Sequence, residues 1–134
     1  MADEVLMQKL SSIDRCVRQV REFVGGDLDR LKQQLVQDAV VLNLQRACEQ
    51  AIDAASRVAS MRRLGVPTDS AEAFTLLERA KVLTPATAAR MRAMVGFRNV
   101  AVHQYQLLDQ GILRAVVEKH LGDFAELCRE LSAE

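Results

Sequence analysis

Tryptophan is absent from this 134-residue chain, tyrosine occurs once and phenylalanine four times. A protein that reads single-stranded RNA by stacking bases needs several exposed rings, so the composition argues against that class. Cysteine is nearly as scarce. Cys16, Cys48 and Cys128 are odd in number, far apart and without a Cys-x-x-Cys pair, which predicts reduced, mostly buried thiols in a cytoplasmic protein. With two histidines and no paired cysteines, neither a metal site nor another cofactor is expected. Two prolines and six glycines leave little room for a many-turned β protein. The longest apolar run, Ala39–Leu42, is four residues, against about 20 needed to cross a bilayer. No membrane association is expected, and the acidic start MADEVLMQKL predicts no signal peptide. Charge of one sign is also lacking. Eighteen Lys and Arg balance eighteen Asp and Glu, which excludes nucleic-acid binding by bulk electrostatics while leaving room for a local basic cleft.

What is present is aliphatic and helical. Hydrophobic residues make up 49% and charged residues 27% of the chain, a balance that folds rather than stays disordered. The length fits one domain, residues 1–134. A chain of this size buries about two thirds of its unfolded surface without disulfide or metal. Val5, Leu6, Leu10, Ile13, Val17, Val20 and Val24 recur at threes and fours, predicting a helix from about Asp3 to Val24 that Gly25-Gly26 ends. A short piece from Leu28 to Gln33, with Asp27 before it, leads into a long helix reaching about Leu64. Its apolar positions include Leu35, Ala39, Leu42, Leu44, Ala47, Cys48, Ala51, Ile52, Ala55 and Val58. Ser70 or Asp69 caps a third helix carrying Ala73, Phe74, Leu77 and Ala80. Thr84-Pro85 is the sharpest boundary, a capping hydroxyl before proline at the first helical position. It opens a fourth helix to about Val102. Asp109 can cap a last helical region, Gln110 to Leu131, with a break near His120–Gly122. The fold class is therefore all-α, a bundle of about five helices.

One segment does not pattern as core: Met94-Val-Gly-Phe-Arg-Asn-Val-Ala-Val-His-Gln-Tyr105. On a helix of ~100° per residue, Arg98 and Tyr105 fall within about 20° of each other. Arg92, Gly96, Asn99 and His103 form a second stripe. Apolar neighbours surround both. Gly96 costs about 1 kcal/mol relative to alanine inside a helix, and its usual compensation is close approach of another backbone or a ligand, as at a seam between helices. Arginine offers a permanent planar charge matched to phosphate. Histidine moves protons near neutral pH. Asparagine orients an imidazole or holds an oxygen. Together, with no need of a metal, these suit phosphodiester cleavage by an adjacent 2′-hydroxyl. A lone His and Arg at this spacing are more often a satisfied surface or interface pair than a catalytic couple, with Asn99 bonding along the helix and Tyr105 plugging its end.

Three further groups have plain readings. Arg62 and Arg63, with Arg57 nearby, fit a solvated helix end or a grip on RNA backbone. Arg46, Glu49 and Asp53 fit an ordinary charged helix face, or the lining of a cleft. His120 fits a surface position or helix break, and Met91 and Met94 fit core or dimer packing.

The string Met94–Tyr105 resembles the Arg-x4-His-x-Tyr signature of the HEPN superfamily, and more closely the HepT toxins of HepT/MntA toxin–antitoxin systems. Leu44-Gln-Arg-Ala-Cys-Glu-Gln-Ala-Ile-Asp53, Leu64-Gly-Val-Pro-Thr, Ala73-Phe-Thr-Leu-Leu-Glu and Leu83-Thr-Pro also resemble that family. The resemblance spans nearly the whole chain. It implies a helical homodimer and a metal-independent ribonuclease with its site in the dimer cleft. By position, it implies Arg98 as the phosphate-facing cation, His103 as the proton-transfer residue and Asn99 as a supporting polar group. It implies Tyr105 as the tyrosine that a partner MntA-like nucleotidyltransferase antitoxin modifies with AMP, placing negative charge beside Arg98. Arg98 and His103 are about 140° apart on one helix, so a two-fold axis would bring copies of both to one RNA phosphate. The competing class is a non-catalytic helical module that binds a nucleotidyltransferase or nucleotide.

Overall fold

The computed structural model describes residues 3–134. The first helix, α1 (Glu4–Val24), starts where the Asp3 carboxylate accepts from the Leu6 backbone N–H at 2.8 Å. It stops at Gly25, whose φ of 60° is the left-handed conformation that glycine adopts without penalty. Leu6, Leu10, Ile13, Val17, Val20 and Val24 form its buried stripe. A 3-10 turn, Leu28–Lys32, capped by Asp27, leads into α2 (Gln34–Met61).

Helix α2 is the hub. Its 28 residues span about 42 Å. Alanines on its inner faces (Ala47, Ala51, Ala54, Ala55 and Ala59) let other helices come close. It packs most extensively along α1 and also meets α3 (Ser70–Arg79), α4 (Pro85–His103) and α6 (Leu121–Leu131). Leu35 and Leu42, expected on its apolar face, are exposed instead, because the neighbouring helices cover other sides of α2.

The boundaries that matter for α4 come from capping chemistry. Asp69, not Ser70, caps α3, accepting from Glu72 N–H at 2.8 Å. The Glu72 carboxylate reaches back to the Thr68 backbone N–H and hydroxyl, a reciprocal cap that fixes the α3 entry. Thr84 caps α4 with Pro85 at its start. Glu130 of α6 then clamps that start: its carboxylate accepts from Thr84 N–H at 2.7 Å and from the Thr87 hydroxyl. Beyond a short turn the chain re-enters helix at α5 (Gln110–Ala115), capped by Asp109. The expected break near His120–Gly122 is a single wide turn, Val116–His120, joining α5 to α6. Counting that region once leaves five long helical segments, and among the described residues there is no strand. Among the described residues no helix is long and apolar enough to cross a membrane.

Candidate functional site

Arg98 lies where α4 crosses α2 and α3. Its Nη2 donates to Ser70 Oγ at 3.0 Å, and its Nε stands 3.2 Å from Glu49 Oε1 of α2. The side chain is only 14% exposed, so the guanidinium is held rather than free to sweep solvent. The Glu49 approach is within ion-pair distance but out of line for a hydrogen bond. The Nε–H is therefore buried without an acceptor. The platform beneath is rigid. Arg92, six residues upstream, ties α4 to α3 through Glu78 at 2.8 Å, and Phe74 of α3 is fully buried. Glu49, for which an ordinary charged face or the lining of a cleft was expected, reaches across from α2 to Arg98. The neighbouring Asp53 pairs with Lys9 of α1 at 3.7 Å.

His103 is the last residue of α4, and both it and Asn99 are exposed. Among the described residues neither side chain makes a hydrogen bond or ion pair that leaves α4. The imidazole sits in the last turn of the helix.

The structure corrects the placement of Tyr105. Helix α4 does not run through it. Gln104 leaves helical geometry at φ −139°, ψ 44°, and Tyr105 opens a separate 3-10 turn, Tyr105–Leu107. The stripe shared with Arg98 therefore does not exist. The phenol turns to the start of α2, where its hydroxyl donates to the Asp38 carboxylate and lies 3.4 Å from Gln37 Oε1. Gln34 braces this seat, donating to Asp38 Oδ1 at 2.7 Å and to Gln37 Oε1 at 3.2 Å. Gln37 in turn donates to Gln110 of α5. Burial, and then the carboxylate beside it, push the Tyr105 phenol up to about 12. The same hydroxyl, helped by Gln34, holds Asp38 below the usual carboxylate range. Asp38 and Glu49 are eleven residues apart on α2, about 16 Å along its axis. Within a protomer, then, the Tyr105 hydroxyl is not beside Arg98.

Gly96 is corrected too. Nothing lies within 4 Å of where its Cβ would be, so no close approach within the protomer explains it. Instead it lines an apolar groove of about 580 Å³ between α4 and the segment 104–120. Phe97, Val100, Leu107, Ile112 and Val116 share that lining.

The remaining groups take their plain roles. Arg57 is committed to Asp3 by two hydrogen bonds of 2.9 Å, and Arg62 pairs with Glu134 at 3.4 Å. His120 lies 3.1 Å from Asp123. Met91 and Met94 are core. Cys16 and Cys48 are buried and Cys128 half-buried. Burial pushes the Cys48 thiol up to about 12 and Cys128 to about 11, so neither is a nucleophile at neutral pH. Among the described residues no cluster of His, Cys, Asp or Glu could hold a metal ion.

The all-helical bundle that carries these residues matches the fold of solved HEPN toxins. The solved structure of the tri-AMPylated Shewanella oneidensis HEPN toxin in complex with MNT antitoxin superimposes with a TM-score of 0.93 at 38% identity, covering 98% of this chain and 99% of that one. In sequence, the chain is 38% identical to the mRNA nuclease HepT of Shewanella oneidensis, over 98% of this chain and 99% of the relative. It is 25% identical to the tRNA nuclease HepT of Aphanizomenon flos-aquae, over 96% and 88%. The family described as Ribonuclease HepT-like matches residues 13–131. The chain belongs to that HepT-like family.

Proposed function

We propose that this chain is a metal-independent endoribonuclease toxin acting in the cytoplasm as one domain per protomer. In this reading it works as a homodimer whose site forms at the dimer interface. A partner MntA-like nucleotidyltransferase antitoxin silences it by attaching AMP to Tyr105. The observation that carries the reading is the division of labour along α4. Arg98 is fixed at a helix crossing by Ser70 and Glu49, while His103, five residues on, is exposed at the helix end. A fixed cation stabilises charge on phosphorus, and a free imidazole exchanges protons.

In the reaction, the RNA 2′-hydroxyl attacks the neighbouring phosphorus. His103 takes the hydroxyl proton as the new bond forms and passes a proton to the departing 5′-oxygen. Arg98 faces the non-bridging oxygens, and Asn99 steadies the imidazole or substrate. The product is a 2′,3′-cyclic phosphate. The homodimer is supported by exposed apolar surface around the end of α4 and the segment after it: Val102, Leu107 and Ile112 are 45%, 73% and 54% exposed, and Leu107 and Ile112 share an open groove with Gly96. Apolar surface of this kind marks an interaction face. Silencing at Tyr105 is supported by the AMPylated state of the Shewanella relative. Because Tyr105 and Arg98 are apart in the protomer, silencing by charge beside Arg98 requires a chain of AMP units or the partner protomer's Arg98.

The test is cleavage of RNA by the purified chain in excess EDTA. The account expects cleavage with cyclic-phosphate ends, lost in His103→Ala and Arg98→Ala. Activity that survives His103→Ala, or that chelator abolishes, overturns it. Partner binding without any RNA cleavage would favour the interaction-module reading.

A further inference from the structure

Resting on the reading of Tyr105 as the AMP acceptor, we infer that Asp38 of this chain is the catalytic base of that modification, so that the toxin supplies the proton acceptor for its own silencing. The hydroxyl of Tyr105 already donates to the Asp38 carboxylate across the junction of the 3-10 turn and α2. Gln34 donates to the same Oδ1 at 2.7 Å, which fixes the carboxylate in place. The other group facing the phenol, Gln37 Oε1, is an acceptor that cannot take a proton. Among the described residues no lysine, arginine or histidine lies within ion-pair distance of Asp38. The groups packed on this seat are otherwise neutral glutamines: Gln34 and Gln37 of α2, and Gln110 of α5 through Gln37.

The step balances without any further reactant than a nucleoside triphosphate brought by the transferase. The phenol oxygen forms a bond to the α-phosphorus. The bond between that phosphorus and the bridging oxygen breaks, and pyrophosphate leaves. The phenol proton passes to Asp38. An ionised carboxylate is a weak base toward a free phenol. As the new P–O bond forms, the phenol becomes strongly acidic, and a carboxylate already at hydrogen-bond distance receives the proton late in the step. Hydrogen bonds from Tyr105 and Gln34 hold the Asp38 carboxyl below the usual carboxylate range, so it stands ionised at neutral pH. After transfer the ester oxygen has no proton to donate, and both Asp38 and Gln37 face it as acceptors. The modified residue therefore leaves its seat, and the seat takes part once per chain.

The experiment is single-turnover transfer of AMP from ATP to the purified chain by the cognate nucleotidyltransferase, followed by intact mass. The variants are Asp38→Asn, Asp38→Glu and Tyr105→Phe. Asn at 38 keeps the shape and an acceptor for the phenol while losing basicity. Its fold is checked by helical circular dichroism, and its affinity for the transferase by titration without ATP. The expected result is a fall of about 100-fold in the transfer rate for Asp38→Asn with transferase affinity unchanged. The residual rate should climb with pH as hydroxide replaces the carboxylate, whereas the wild-type rate stays flat over the same range. Asp38→Glu should recover part of the loss. Wild-type rate and pH profile in Asp38→Asn overturn the inference alone. No mass gain on the wild type, or a gain that persists in Tyr105→Phe, overturns the modification reading and this inference with it.

Discussion

Because the chain has one tyrosine and no tryptophan, the ionisation of Tyr105 can be followed alone by phenolate absorbance. In the structure, burial and the Asp38 carboxylate together push this phenol up to about 12, against about 10 for an ordinary tyrosine. At pH 10 a free tyrosine is half ionised; a phenol titrating near 12 is ionised to about 1%. The native chain should therefore show almost no phenolate signal at pH 10, while the urea-unfolded chain shows a half-complete transition. The sign for stability follows from the same difference. A tyrosine whose folded value is raised contributes stability that is fully present below 10 and is lost as pH rises toward 12. Asp38→Asn should bring the native transition part of the way back, since burial remains when the charge is gone. A native chain half ionised near pH 10 would refute the seat itself: Tyr105 would then be free in solution and not held on α2.

Four carboxylates, Asp3, Asp29, Asp38 and Glu126, are held below their ordinary values, chiefly by hydrogen bonds from Arg57, Arg114, Tyr105 and Arg129 respectively. Their stabilisation is present at neutral pH and lost as pH falls below about 4, so the thermal midpoint should drop across that window. Glu130→Ala leaves the Thr84 N–H and Thr87 hydroxyl without their acceptor at the start of α4. It should cost about 1–3 kcal/mol in urea unfolding and lower RNA cleavage by loosening the helix that carries Arg98 and His103. Leu107→Asp and Ile112→Asp, at exposed apolar positions, should shift the proposed dimer toward monomer in analytical ultracentrifugation without lowering the thermal midpoint of the bundle.

The helices were legible because their ends carry strong chemistry: Gly25 after α1, Asp69 before α3, and Thr84-Pro85 before α4. The motif on α4 was legible as residue types, but its geometry was not. The end of α4 was expected at about Val102 and falls at His103, yet the Arg98–Tyr105 stripe was drawn as though the helix continued through Gln104. Beyond that end the phenol meets Asp38, 67 positions away in sequence, a contact that periodicity does not encode. The partners of the site residues were hidden for the same reason. Glu49 of α2 and Ser70 of α3 reach Arg98, and Asp38 and Gln37, near the other end of α2, reach Tyr105. A charged residue at helical spacing looks alike whether it faces solvent or a crossing helix. Gly96 signalled a surface feature rather than an internal contact, since its open side faces the groove.

The central claim is that Arg98 from one protomer and His103 from another act on one phosphate. The direct measurement mixes two inactive proteins, Arg98→Ala and His103→Ala, under conditions that exchange subunits. Each protomer then lacks one group, so no protomer alone holds a complete set. The account predicts that RNA cleavage in EDTA reappears in the mixture and scales with the fraction of mixed dimers. A mixture that forms mixed dimers yet stays inactive would contradict it.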